Sequence, residues 1–268
     1  QHHGWFEARL QAAFPEMGLT VRNLGFSGDE LTVRQRTAGF GTQDEWLTRC
    51  EADVILACFG FNEAFTHEEL SIKMRGSHQE PRSAARFRRE LVELVEHLRG
   101  QRYNGESAPR IVLVAPIAQE SHDGGPPVSL EHRQFALREA GSFMREVAAE
   151  LGVGFIDLFG PSRGLYRAQP DPLTINGIHL TDRGNELLSR TLFEGFTGVP
   201  APDEDSARLE AIRAAVLEKN LYWFNRYRAT DGYNVYGGRS SLAYVDEQTN
   251  YEVLQQELVV LDAMTDRM

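Results

Sequence analysis

The sequence predicts a three-layer α/β domain on a parallel sheet, continued at its C-terminal end by helices. Three observations carry this. Apolar runs of strand length alternate with stretches of helical periodicity, and Gly, Asn and His gather where strands should pass into loops. The composition then changes after Phe196.

Phe6 to Phe14 repeats its apolar residues at helical spacing, and Leu19-Thr20-Val21-Arg22-Asn23-Leu24 alternates as a half-buried strand. Asp53 to Phe59, Arg110 to Ala115 and Val153 to Leu158 are nearly unbroken apolar runs, as expected of parallel strands covered on both faces. Between and after them, Ala84 to Leu98, Leu130 to Leu151 and Thr181 to Phe196 read as helices. Pro81 and Ser129 suit helix starts and Gly152 a helix stop. Gly105 to Pro109 and Gly124-Gly125-Pro126-Pro127 are loop punctuation within one domain, taken as residues 1–197. Residues 198–268 read as a helical and irregular extension packing on it. Gly198 to Ser206 is its exposed connection, Arg208 to Arg228 a long helix, Tyr233 to Tyr244 an irregular stretch, and Tyr251 to Met264 a last helix. The aromatic run Leu221-Tyr222-Trp223-Phe224-Asn225-Arg226-Tyr227 is expected to pack as a cap rather than to form a ligand cage, because aromatics at helical spacing are usually core.

Composition narrows the function classes. A chain of 268 residues with 41% hydrophobic content can bury a full core. Its net charge of -11 disfavours nucleic acid or an anionic membrane as partner. No apolar run approaches the roughly 20 residues of a membrane span, and no signal peptide opens the chain. Cys50 and Cys58 are too few for a disulfide scaffold and fit no zinc or haem spacing. His and acidic residues show no ligand spacing either, so neither a metal nor an organic cofactor is expected.

Three short segments carry the chemistry: Asn23-Leu24-Gly25-Phe26-Ser27-Gly28-Asp29, Gly60-Phe61-Asn62-Glu63 and Asn176-Gly177-Ile178-His179-Leu180. Each follows an expected strand or opens an expected helix, on the side where parallel sheets build their sites. Alone, Gly28 reads as a turn glycine and Asn62 as a loop-capping amide. Found in this order with His179 downstream, they resemble the later sequence blocks of the SGNH/GDSL family of serine ester hydrolases. The resemblance implies a flavodoxin-like α/β/α fold, with the Gly28 N–H and the Asn62 amide facing the oxyanion and His179 as general base. Gly at 28 lets the backbone approach a substrate. His2, His3, His67, His78, His97 and His132 read as structural or exposed, and His122 as exposed or on the substrate side of the same rim.

The chain departs from the family pattern twice. Where the family has Asp three residues before its histidine, Asn176 stands here, and an amide holds the ring by a hydrogen bond without contributing charge. Asp182 is the nearest alternative acid, or else a helix N-cap. The Gly-Asp-Ser block with the nucleophile is absent, and Ser27 does not replace it, since Gly-x-Ser-x-Gly would need Gly where Asp29 stands. Gln1 to Phe6 reads like the helix that ordinarily follows that block. The nucleophilic Ser is therefore expected upstream of residue 1, in a longer chain. The first, central strand is expected to be missing, which leaves four main strands with a slot or a non-native closure beside Asp53–Phe59, and low stability for this fragment.

Val21 to Leu31, Phe59 to Phe65, Leu173 to Leu180 and Lys219 to Gly238 are similar to GDSL-like domains of large exported multidomain proteins of planctomycete-type bacteria. That likeness implies a periplasmic or envelope setting and a small-molecule or carbohydrate ester substrate, with acyl or acetyl esters the natural guess. Two function classes follow: a serine ester hydrolase, and an inactive domain of the same fold used for carbohydrate binding or assembly.

Overall fold

The computed structural model describes residues 2–34, 36, 39–64, 84–121, 130–201, 206–229 and 232–268. In chain order the helices are α1 (Trp5–Ala13), α2 (Gln43–Arg49), α3 (Ala84–Arg99), α4 (Leu130–Leu151), α5 (Phe159–Ala168), α6 (Asp182–Thr197), α7 (Ser206–Arg228), α8 (Gly232–Val235) and α9 (Asn250–Asp266). The strands are β1 (Val54–Cys58), β2 (Arg110–Val114), β3 (Gly154–Ile156), β4 (Ala243–Val245) and β5 (Gln248–Thr249). Two compact units result. One is Ser27–Arg34 with Leu47–Ala201; the other is Gln1–Phe26, Gln35–Trp46 and Pro202–Met268. The C-terminal segment, expected as an extension from 198, thus shares its unit with two N-terminal stretches.

The first unit is the α/β body. Its sheet runs β1-β2-β3, all parallel, with Leu56 opposite Val112 and Val112 opposite Gly154. Side chains alternate across it. Val112, Val114, Leu56 and Ile156 pack with Leu158, Leu165 of α5, and Leu188, Leu192 and Phe196 of α6. The opposite face meets α4, where a Cβ on Gly141 would touch that of Ala115 at 3.4 Å. Helices thus cover both faces, which is why these strands read as continuous apolar runs. Gly195 permits the close approach of α6, since a Cβ there would come within 2.7 Å of Ile156 Cγ2.

The expected strand Leu19–Leu24 is not a strand, and among the described residues the sheet has three parallel members rather than four. In the expected strand order its ladder partner would be the first strand, and the described residues include none. Its carbonyls, and that of Gly25 just after it, take side-chain donors instead. Gln11 of α1 donates to Leu19 O at 2.8 Å, Lys219 to Val21 O at 3.0 Å, Trp223 to Asn23 O at 2.8 Å and Arg228 to Gly25 O at 3.0 Å. Tyr227 adds Leu24 O at 2.9 Å. The match is geometric: four residues of helix rise about 6 Å and two of extended chain about 6.6 Å, so donors four or five apart on α7 meet alternate carbonyls.

This second unit explains the aromatic run. Phe40, Trp46, Trp223, Tyr227 and Tyr236 are all buried, and the Trp223 and Tyr227 rings stack at 5.9 Å and 5°. They form a core rather than a ligand cage. Arg226 holds both carboxylate oxygens of Asp262 on α9 at 2.9 Å, and Lys219 pairs with Glu7 of α1. The stretch Tyr233–Tyr244, expected to be irregular, contains most of α8 and enters the β4–β5 hairpin. A capping box of Thr249 and Glu252 then starts α9.

Candidate active site

Asn62 lies four residues past the carboxyl end of β1, in a loop fastened to the segment containing Gly28. Its side-chain amide donates to the carbonyl of Asp29 at 2.8 Å, the residue next to Gly28. Glu63 makes the second tie, accepting from Leu31 N at 2.7 Å and Gly60 N at 2.9 Å. Burial raises the Glu63 pKa despite these backbone donors, which pull it down. Gly60 has φ +94°, a backbone conformation that favours glycine, while a Cβ on it would sit in ordinary contact with Ala140 and Met144 of α4 at 3.4 Å. Gly28 has φ +82° with open space where a Cβ would stand. An amide NH₂ has two hydrogens, and the one not given to Asp29 leaves Asn62 able to serve a second acceptor.

His179 sits on a narrow loop. Thr174 and Leu180 form an antiparallel bridge, Ile175 N donates to His179 O at 2.8 Å, and Thr181 N to Leu173 O at 2.8 Å. Asn176 organises the tip: its Oδ1 accepts from Ile178 N at 3.3 Å and His179 N at 3.0 Å, and lies 3.1 Å from His179 Nδ1. A carbonyl oxygen beside Nδ1 selects the tautomer with hydrogen on Nδ1. Nε2 then keeps its lone pair, as a general base needs. Both side chains are exposed. Thr181, not Asp182, is the N-cap of α6, accepting from Gly184 N at 3.1 Å, while Asp182 is the first helical residue.

The loop is anchored beyond the carboxyl end of β2. Glu120 there is 7% exposed, and its carboxyl accepts from Leu173 N at 3.0 Å and Thr174 N at 2.7 Å, and from Thr174 Oγ1. Gly28 with Asn62, and Asn176 with His179, are therefore two pairs, each built beside the end of a strand. No hydrogen bond joins one pair to the other among the described residues. Glu63, Glu120 and Thr174 were not singled out from the sequence; only Glu63 carried a signal, by adjacency to Asn62. Ser27 is exposed in the turn with Gly28. His67, His78 and His122 lie outside the described residues, as do Pro81, Ser129 and the loop at Gly124–Pro127. No group of three or more metal-binding side chains occurs among the described residues, and no described helix is long and apolar enough to cross a membrane.

Asn62 on the loop past β1 and His179 on a loop anchored past β2 lie on the side of a parallel α/β sheet where such folds place their ligand sites. The model of the GDSL-like Lipase/Acylhydrolase family matches residues 1–187, and the chain belongs to that family. Among solved structures, the chain is similar to Axe2, an acetylxylan esterase from Geobacillus stearothermophilus. The identity is 16% and the TM-score 0.54, over 76% of this chain and 84% of that one. It is also similar to LAE5, an alpha/beta hydrolase enzyme from the metagenome of Lake Arreo, Spain, at 19% identity and TM-score 0.50 over 72% and 80%. Two further matches are catalytic mutants of Axe2, one with a serine and one with an aspartate changed to alanine, each at 17% identity and TM-score 0.53. Their coverage is 73% and 72% of this chain, and 80% and 79% of the mutants. No curated protein matches. Identities this low speak to the fold alone.

Proposed function

We propose that this chain is the body of an ester hydrolase for acyl or acetyl esters, carbohydrate esters first among them. The observation that carries the reading is the bond from the Asn62 amide to the Asp29 carbonyl, which ties the side-chain donor to the peptide beside Gly28. Gly28 N–H and Asn62 Nδ2 stabilise the oxyanion, and His179 Nε2 takes the proton of the nucleophile while Asn176 holds the ring. The serine comes from a segment ahead of residue 1. Acetyl esters of xylan are the first substrates to try, because Axe2 shares the fold. The likeness to domains of exported multidomain proteins supports an envelope setting.

The test is turnover of p-nitrophenyl acetate and acetylated xylo-oligosaccharide by a chain extended toward its N-terminus. Asn62→Ala should lower kcat by roughly 100-fold or more through loss of an oxyanion donor, and His179→Ala should abolish turnover. Activity indifferent to both would end the assignment. One observation favours the second reading, an inactive domain that binds carbohydrate: the orienting group at 176 is an amide. Binding of the oligosaccharide without turnover would select it.

A further inference from the structure

We infer that Glu120 is the positioning residue of the proposed general base, holding the His179 loop against the end of the sheet. The inference rests on His179 being that base. Among the described residues, the hydrogen bonds tying the loop to the segment after β2 run through Glu120. Its carboxyl takes the N–H groups of Leu173 and Thr174 and the Thr174 hydroxyl, while its own N–H donates to Gly177 O at 2.9 Å. Thr174 passes the restraint onward, its hydroxyl oxygen accepting from Gly177 N at 2.9 Å. Gly177 is therefore held on both its N–H and its C=O, two residues before His179 and one after Asn176.

The backbone records the same docking. Gly177 has φ +83°, and a Cβ on it would stand 2.8 Å from the Glu120 carbonyl oxygen, so only glycine allows the tip to lie this close. Burying a carboxyl group is costly unless its oxygens are satisfied, and an apolar side chain would fill the same space without that cost. An acid here is explained by what it holds. The tip beyond it, with Asn176 and His179, is exposed and would otherwise rely on its internal bonds to keep the ring in one orientation. A general base must keep its nitrogen within hydrogen-bond reach of the proton it removes, which a wandering loop does not do.

The experiment needs no turnover, so it fails or succeeds separately from the esterase assay. Amide hydrogen exchange and site-resolved diethylpyrocarbonate labelling at pH 7 are measured by mass spectrometry on the whole chain, for wild type, Glu120→Gln, Glu120→Asp and Thr174→Val. Glu120→Gln and Thr174→Val each remove at least one bond to a carboxyl, so exchange of the 173–181 segment should rise roughly tenfold to 100-fold, with β2 and α4 unchanged. Labelling of His179 should change at least about threefold while His97 and His132 keep their rates. Glu120→Asp should restore part of both effects. Should Glu120→Gln fail to fold, the near-isosteric Thr174→Val still decides. Unchanged exchange at 173–181, or a uniform rise across the α/β unit with His179 labelling constant, overturns the inference.

Discussion

Replacing Lys219 by Met removes the ammonium from a pair whose side chains are only 8% and 2% exposed, that of Glu7 being the more buried. The Lys219 bond to the Val21 carbonyl goes with it. Breaking a buried pair from one side costs about 3–5 kcal/mol, because the remaining charge keeps its desolvation penalty without its partner. Set against a total stability of about 5–15 kcal/mol, that is a drop in melting temperature of roughly 6–20 °C. Replacing both members, as Glu7→Leu with Lys219→Met, removes two desolvation penalties at once and should end within about 1 kcal/mol of wild type or above it. The cost of Lys219→Met alone should also depend on pH. Burial raises the Glu7 pKa above 4.5, so above that pH the folded chain retains a proton the unfolded chain has released, and stability falls as pH rises through the window. Burial lowers the Lys219 pKa below 10.5, so at the alkaline end stability rises with pH. Without Lys219 the acidic window widens, and the penalty at pH 7 should exceed that at pH 4.5. Urea unfolding followed by circular dichroism, run as a double-mutant cycle at both pH values, measures this. A single-variant cost below about 1 kcal/mol, or single costs that merely add, would refute the reasoning.

Two further outcomes concern the site. Asn176→Asp keeps the three acceptor contacts of Oδ1 and adds a charge favouring the imidazolium, so in an extended, active chain kcat on a short-chain ester should rise at least about tenfold; no gain would move the orienting acid elsewhere, with Asp182 next in line. The raised Glu63 pKa means the folded state binds the extra proton above pH 4.5, so the charged group burdens the fold at neutral pH. Wild type should accordingly lose melting temperature relative to Glu63→Gln as pH goes from 4.5 to 7, and a constant difference between the two would contradict it.

Much of the body was legible in the chain because its determinants are local. Apolar runs placed β1, β2 and β3 within a residue or two, and helical spacing placed α3, α4 and α6. The pairing of His179 with Asn176 was legible too, since three residues of loop bring them together. Leu19–Leu24 was misread for a reason of the same kind: alternation reports a chain that is polar on one side and apolar on the other, not what meets its carbonyls. Lys219, Trp223 and Tyr227, some 200 residues away, supply those partners. Glu120 was invisible for the same physical reason, as an ordinary acid in a loop whose meaning lies in Leu173 and Thr174, 53 and 54 residues further on. By itself the sequence determined the strand-helix alternation, the glycines that admit close backbone approach and the residue types at the site. Only the tertiary structure decided which side chains satisfy buried backbone groups and which acids anchor the loops, because hydrogen bonds between distant residues leave no periodic trace in the chain.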